Sequence, residues 1–158
     1  MSVSQLLQPN NYQVYCQTIT ASNLTPNTNN MVIANDSTEV EVPRRTAVTV
    51  MPTNITPNSA LSKIRYEINT SYWANLGPGD LTVFNVYRDA TLVWSNRLGM
   101  LSGTVGFQNQ IPLNITFVDE PATTDTLTYS LEIDNQGFTT ATSYFNRNSS
   151  SQVILTEV

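Results

Sequence analysis

Residues 62–73 read SKIRYEINTSYW, with Ile64, Tyr66 and Ile68 on one parity and Lys63, Arg65 and Glu67 on the other. A two-residue period places these sets on opposite faces of an extended strand, one buried and one wet. Such a strand must bury its apolar face against a second surface. In an antiparallel protein that surface is the inner face of another sheet. Ile64, Tyr66 and Ile68 are therefore expected inside a sandwich.

The same period recurs along most of the chain. It runs through Val40 and Val42, then through Val48 and Val50 until Pro52, where the strand is expected to stop. Residues 54–62 read as loop. NLGPGD, at 75–80, is a turn. Residues 82–94 predict a hairpin: Thr82 to Tyr87 up, Arg88, Asp89 and Ala90 at the tip, Thr91 to Trp94 back. Residues 99–107 are glycine-rich. Alternation returns through Ile111, Leu113, Ile115 and Phe117, then through Leu127, Tyr129, Leu131 and Ile133, and finally through Val153 and Leu155. No stretch carries the helical spacing. Eight or more short strands bounded by turns predict an all-β antiparallel sandwich or barrel.

Composition agrees. Charged residues are 12% of the chain, about half the usual share, so Asn, Thr, Ser and Gln must supply the polar surface. A net charge of −5 argues against nucleic-acid binding, which needs a basic footprint. No apolar run is long enough for a membrane-spanning helix. The opening MSVSQLLQPNNYQ has neither a basic nor an apolar signal region, which predicts synthesis inside a cell. Residues 1–30 carry no charged side chain and read either as an extended arm that pairs with something else or as a loose terminus.

There is no histidine and one cysteine, Cys16, so no Ser–His–Asp or Cys–His set, internal disulfide or structural zinc site can form. The carboxylate pairs Glu39/Glu41 and Glu132/Asp134 each share a parity, as expected of solvated strand faces. Asp119, Glu120 and Asp125 are the one group with oxygen ligands close in sequence, but their spacing matches no EF-hand. The expectation is no enzyme, no cofactor and no metal site. The Asn-x-Ser/Thr sequons follow from an Asn- and Thr-rich composition, and no glycans are predicted.

Four segments carry a resemblance: LSKIRYEINTSYW (61–73), VFNVYRDATLV (83–93), IPLNITFVDEPATTDTLTYSLEI (111–133) and YFNRNSSSQVILTEV (144–158). Together they resemble the tumour necrosis factor/C1q-like jelly roll, in the form found in minor capsid or fibre-head proteins of large DNA viruses and phages. The likeness covers residues 38–158 and leaves 1–37 as an extended N-terminal arm. Ala90 departs from the glycine usual at the hairpin tip, so the turn there is expected to differ.

The resemblance implies a non-enzymatic virion structural protein, found in the particle, that forms a homotrimer, contacts neighbouring capsid proteins and is anchored through its arm. Aromatic residues around a three-fold axis are part of that implication. The candidates are Tyr66, Tyr72, Trp73, Tyr129 and Phe145, and the alternative for each is membership of the single-chain core. The second reading is a receptor- or glycan-binding module acting through loops at one end of the sandwich, with Trp73 and Phe107 as candidate contacts.

Overall fold

The computed structural model describes residues 30–99, 107–137 and 142–158; of Phe107 only the backbone is described. Ten strands lie in these segments: β1 (Met31–Asp36), β2 (Val40–Val42), β3 (Thr46–Ile55), β4 (Ile64–Leu76), β5 (Leu81–Arg88), β6 (Thr91–Gly99), β7 (Phe107–Asp119), β8 (Leu127–Asn135), β9 (Ser143–Phe145) and β10 (Ser151–Glu157). All pairing is antiparallel, and the strands form two sheets. One has the order β3-β8-β5-β6. The other is built around β4, with β7 along one edge and β10 and β9 sharing the opposite edge; β1 pairs with β10 and β2 with β9. The chain passes between the sheets in the jelly-roll manner.

The alternation on β4 is realised residue by residue. Ile64, Tyr66, Ile68, Thr70, Tyr72, Ala74 and Leu76 are buried, and the residues of the other parity face outward. The opposing inner face comes from Leu127, Tyr129, Leu131 and Ile133 of β8, Phe84 and Val86 of β5, and Val50 and Ile55 of β3. Rings bridge the two sheets: Tyr66 lies 6.1 Å from Tyr129, and Tyr72 meets Phe84 edge-on at 5.2 Å. Trp94 of β6 is half-buried and stacks on Phe117 of β7 at 6.4 Å, covering the core margin.

The end of the sandwich near the β5–β6 hairpin is latched by Asp119. Its Oδ2 accepts from Arg88 Nη1 at 2.7 Å and from Tyr129 Oη at 2.7 Å, joining three strands across both sheets. The left-handed backbone at the hairpin tip falls on Asp89 (φ 52°), leaving Ala90 without that strain. Asp89 is tied to β8 by N–H donation to the Thr128 carbonyl and by Oδ1 accepting from Thr128 N.

Two boundaries differ from the sequence reading. Pro52 does not end its strand: β3 continues to Ile55, with a register shift between Val50 and Thr53 and Met51 at φ 52°. The bulge takes the proline, which has no N–H to donate, off the ladder. Residues 31–36, left in the arm by the extent of the resemblance, form β1 on the sheet edge, ended by the Asp36 carboxylate accepting from Thr38 N at 2.8 Å. The rest of the predicted arm, residues 1–29, lies outside the described residues.

Tyr66 carries the clearest local cost. Its ring is fully buried, and its hydroxyl has no hydrogen-bond partner among the described residues. Burial pushes its pKa well above the ordinary tyrosine value. Tyr66→Phe keeps the ring and removes the orphaned group. It should stabilise the fold by about 1 kcal/mol in urea unfolding. A loss of similar size would show that the hydroxyl is satisfied.

Candidate functional site

The sheet built on β4 has an outer face whose rows can be read from the register. At the β4 N-terminal end the row is Met31, Thr156, Arg65 and Val118, followed by Ile33, Ile154, Glu67 and Thr116. Met31, Ile33 and Val118 are about half exposed (55%, 48% and 52%). An uncharged row follows: Asn35, Gln152, Asn69 and Asn114. Near the other end lie Glu41, Tyr144, Trp73 and Gln110. The two ends differ in chemistry, one apolar with a charge of each sign, the other aromatic and amide-rich.

The aromatic end is organised by the turn between β9 and β10. Asn146 is buried with φ 57°, a left-handed conformation that Asn tolerates better than most residues. Its N–H donates to the Ser71 carbonyl at 3.2 Å, its Nδ2 to the Asp36 carbonyl at 3.2 Å, and its Oδ1 accepts from Ser151 Oγ and Thr70 Oγ1. This anchor projects Arg147 over the sheet. The guanidinium carbon sits 4.9 Å from the Trp73 ring centroid and 4.6 Å from that of Tyr144. Gln110 Nε2 donates to Ser71 Oγ at 2.8 Å and to the Arg147 carbonyl at 3.1 Å, and Ser71 and Ser149 share a hydroxyl contact.

The predicted site residues separate cleanly. Tyr66, Tyr72, Tyr129 and Phe145 have no exposed surface in the single chain; their rings are spent on the sandwich core. Trp73 alone among the five points outward, half-buried, under Arg147. The side chain of Phe107 and the glycine-rich residues 100–106 lie outside the described residues. The other predicted loop, NLGPGD, is a tight turn in which Asp80 is buried and accepts from Gly77 N at 2.7 Å. Asp119, Glu120 and Asp125 are engaged separately. Asp119 holds Arg88 and Tyr129, Glu120 pairs with Lys63 at 2.6 Å, and Asp125 accepts from Thr123. Tyr144 and Arg147 had no signal in the sequence beyond the resemblance of their segment. Their role depends on β9 lying beside β4.

Two further shifted pKa values bear on the ends of the sandwich. Burial first, and then the hydrogen bond and negative charge of Asp119, raise the Tyr129 hydroxyl far above its ordinary range. For Glu157, burial alone would favour the neutral acid. Hydrogen bonds from Ser62, Asn58 and Asn30 outweigh it and hold the pKa below the usual carboxylate value. Glu157 is buried, with its carboxylate accepting from Asn58 N at 2.9 Å and Asn58 Nδ2 at 2.7 Å, so it pins the β3–β4 connection.

No family model matches the chain, and no curated protein matches it. Among solved structures, similar regions occur in infectious bursal disease virus Gx strain (16% identity, 79% of this chain, 33% of that chain, TM-score 0.47). They occur also in the T13 IBDV viral particle (14% identity, 81% and 31%, TM-score 0.49). A third is the insecticidal delta-endotoxin Cry8Ea1 of Bacillus thuringiensis (13% identity, 76% and 19%, TM-score 0.42). The chain spans about a third or less of the length of these structures. All three TM-scores are below 0.5, and no functional conclusion follows from them.

Glu157 gives a pH prediction. Its folded pKa is lowered, so its contribution is present at neutral pH and is lost as pH falls through that value. Glu157→Gln should cost about 1.5–3 kcal/mol at pH 7. The gap to the parent should narrow as pH falls below the ordinary glutamate value and through the lowered folded one, as measured by chemical unfolding across pH.

Proposed function

We propose that the chain is a non-enzymatic virion structural protein, a trimeric minor capsid or fibre-head component held in the particle through its N-terminal residues. The observation that carries this reading is the apolar group of Met31, Ile33 and Ile154 on β1 and β10 at one end of the outer sheet face, with half-exposed Val118 on the same face at the β7 edge, beyond Arg65. Isolated surface apolar residues are ordinary, but a group on one flat sheet face points to association. The occupant we assign is a second copy of the chain. Arg65 and Glu67, 3.6 Å apart, set both signs of charge on this face, so that around a three-fold axis Arg65 of one copy can meet Glu67 of the next. The strand order of the two sheets is in keeping with the jelly roll that the sequence resembles.

The trimer partner surface is therefore assigned to this face, in place of the core aromatics. The uncharged residues 1–29 fit anchoring by main-chain pairing, since no side-chain charge in them repels a neighbouring strand. An outward-facing head and a buried anchor are the division of labour this composition suits.

Sedimentation equilibrium tests the self-association. The full chain should run at three times its 17.5 kDa monomer mass at micromolar concentration. The double variant I33E/V118E should sediment as a monomer while keeping its β-sheet circular dichroism. A wild-type monomer at these concentrations would contradict the reading. Removal of residues 1–29 should abolish incorporation into particles and leave the oligomer intact.

A further inference from the structure

We propose that Arg147, held between Trp73 and Tyr144, forms a binding site for a sugar that carries a carboxylate. The site is built, and most of its parts already satisfy one another. Gln110 Nε2 spends its hydrogens on Ser71 and on the Arg147 carbonyl, and Ser71 shares its hydroxyl with Ser149. Asn146 fixes the turn from beneath. The guanidinium is the group left over. Its carbon lies over two rings, 4.9 and 4.6 Å from their centroids, and it forms no ion pair among the described residues.

Stacking orients a guanidinium but satisfies none of its five N–H donors. The paired N–H groups of a planar guanidinium match a carboxylate in bidentate fashion. The two rings beside it supply the flat apolar surface against which the C–H face of a sugar packs, with polar groups around them to fix orientation.

Glu41 narrows the ligand class. It faces outward on β2 as the register partner of Tyr144, and it is exposed. One negative charge can sit on the Arg147 edge. A second or third would approach Glu41, on a chain whose net charge is −5. The geometry therefore favours a monoanionic sugar over a sulfated or phosphorylated polyanion. The site does not rest on the proposed self-association. Trp73 lies eight residues along β4 from Arg65, roughly 26 Å at ~3.3 Å per residue, from the apolar end of the face.

Saturation-transfer NMR with titration tests this on the full chain. The probe is 3′-sialyllactose, with lactose as the neutral control and a heparin oligosaccharide as the polyanionic one. Transfer is expected to 3′-sialyllactose, strongest on its acidic ring, with at least ten-fold weaker binding by lactose and by heparin. Arg147→Gln should lose at least ten-fold in affinity for 3′-sialyllactose, and Arg147→Lys should lose several-fold, because a lysine cannot present a paired edge. Equal binding of lactose, stronger binding of heparin, or no binding of 3′-sialyllactose would overturn the proposal. So would an Arg147→Gln variant that loses stability but keeps its sugar affinity, which would leave the arginine as a clamp on the turn. If Arg147→Gln does not fold, Glu41→Gln serves at an exposed position. It should tighten 3′-sialyllactose binding two- to three-fold, and unchanged or weaker binding would count against the site.

Discussion

The structure depends on the pairing of β4 along both edges. This 13-residue strand is paired by β7 over its whole length on one side. On the other side β10 takes Ile64 to Asn69, and β9 takes Tyr72 and Trp73. A change of partner leaves Thr70 and Ser71 in the gap, where unpaired backbone groups would be costly. Asn146 fills it, donating to the Ser71 carbonyl while its side chain joins Thr70 and Ser151. The same residue that completes the sheet also turns the chain from β9 to β10 and lifts Arg147 onto the outer face. A small polar network thus couples the integrity of the core to the geometry of the surface.

The two faces of β4 then divide the work. The inner side chains meet β8, β5 and β3 in a core where aromatic rings cross from sheet to sheet. Four of the aromatics that suggest a trimer axis by resemblance are consumed there. The outer side chains carry the two surfaces proposed for binding. The apolar end, with Met31, Ile33 and Val118, suits a copy of the chain. The aromatic end, with Trp73, Tyr144 and Arg147, suits a small polar ligand. Both lie on the outer face of one sheet, with strands carrying Met31, Ile33, Val118, Trp73 and Tyr144 and the β9–β10 turn carrying Arg147.

Alternation made the long strands legible. β4, the β5–β6 hairpin, β7, β8 and β10 all follow from period two, because each buries one face against the opposing sheet. β1 and β9 were not legible, since six and three residues carry too little pattern to separate strand from loop. Pro52 misled for a physical reason: proline ends a regular ladder, but a bulge accommodates it. Parity correctly set Tyr66, Tyr129 and Ile68 inward. It had no means of showing that Trp73 meets Tyr144, because that contact is fixed by the register of β9 on β4. The Arg147 stack follows from the same register and from the left-handed turn at Asn146.

Cross-strand nuclear Overhauser contacts along β4 test this account most directly. In one and the same folded species, the Ile68 backbone should show contacts to Val153, and the Tyr72 backbone to Phe145. Residues 146–150 should show no ladder contacts of their own. A single continuous register from 143 to 157 against β4, or the absence of either set of contacts, would contradict the shared edge. The placement of Arg147 over Trp73 and Tyr144 would fall with it.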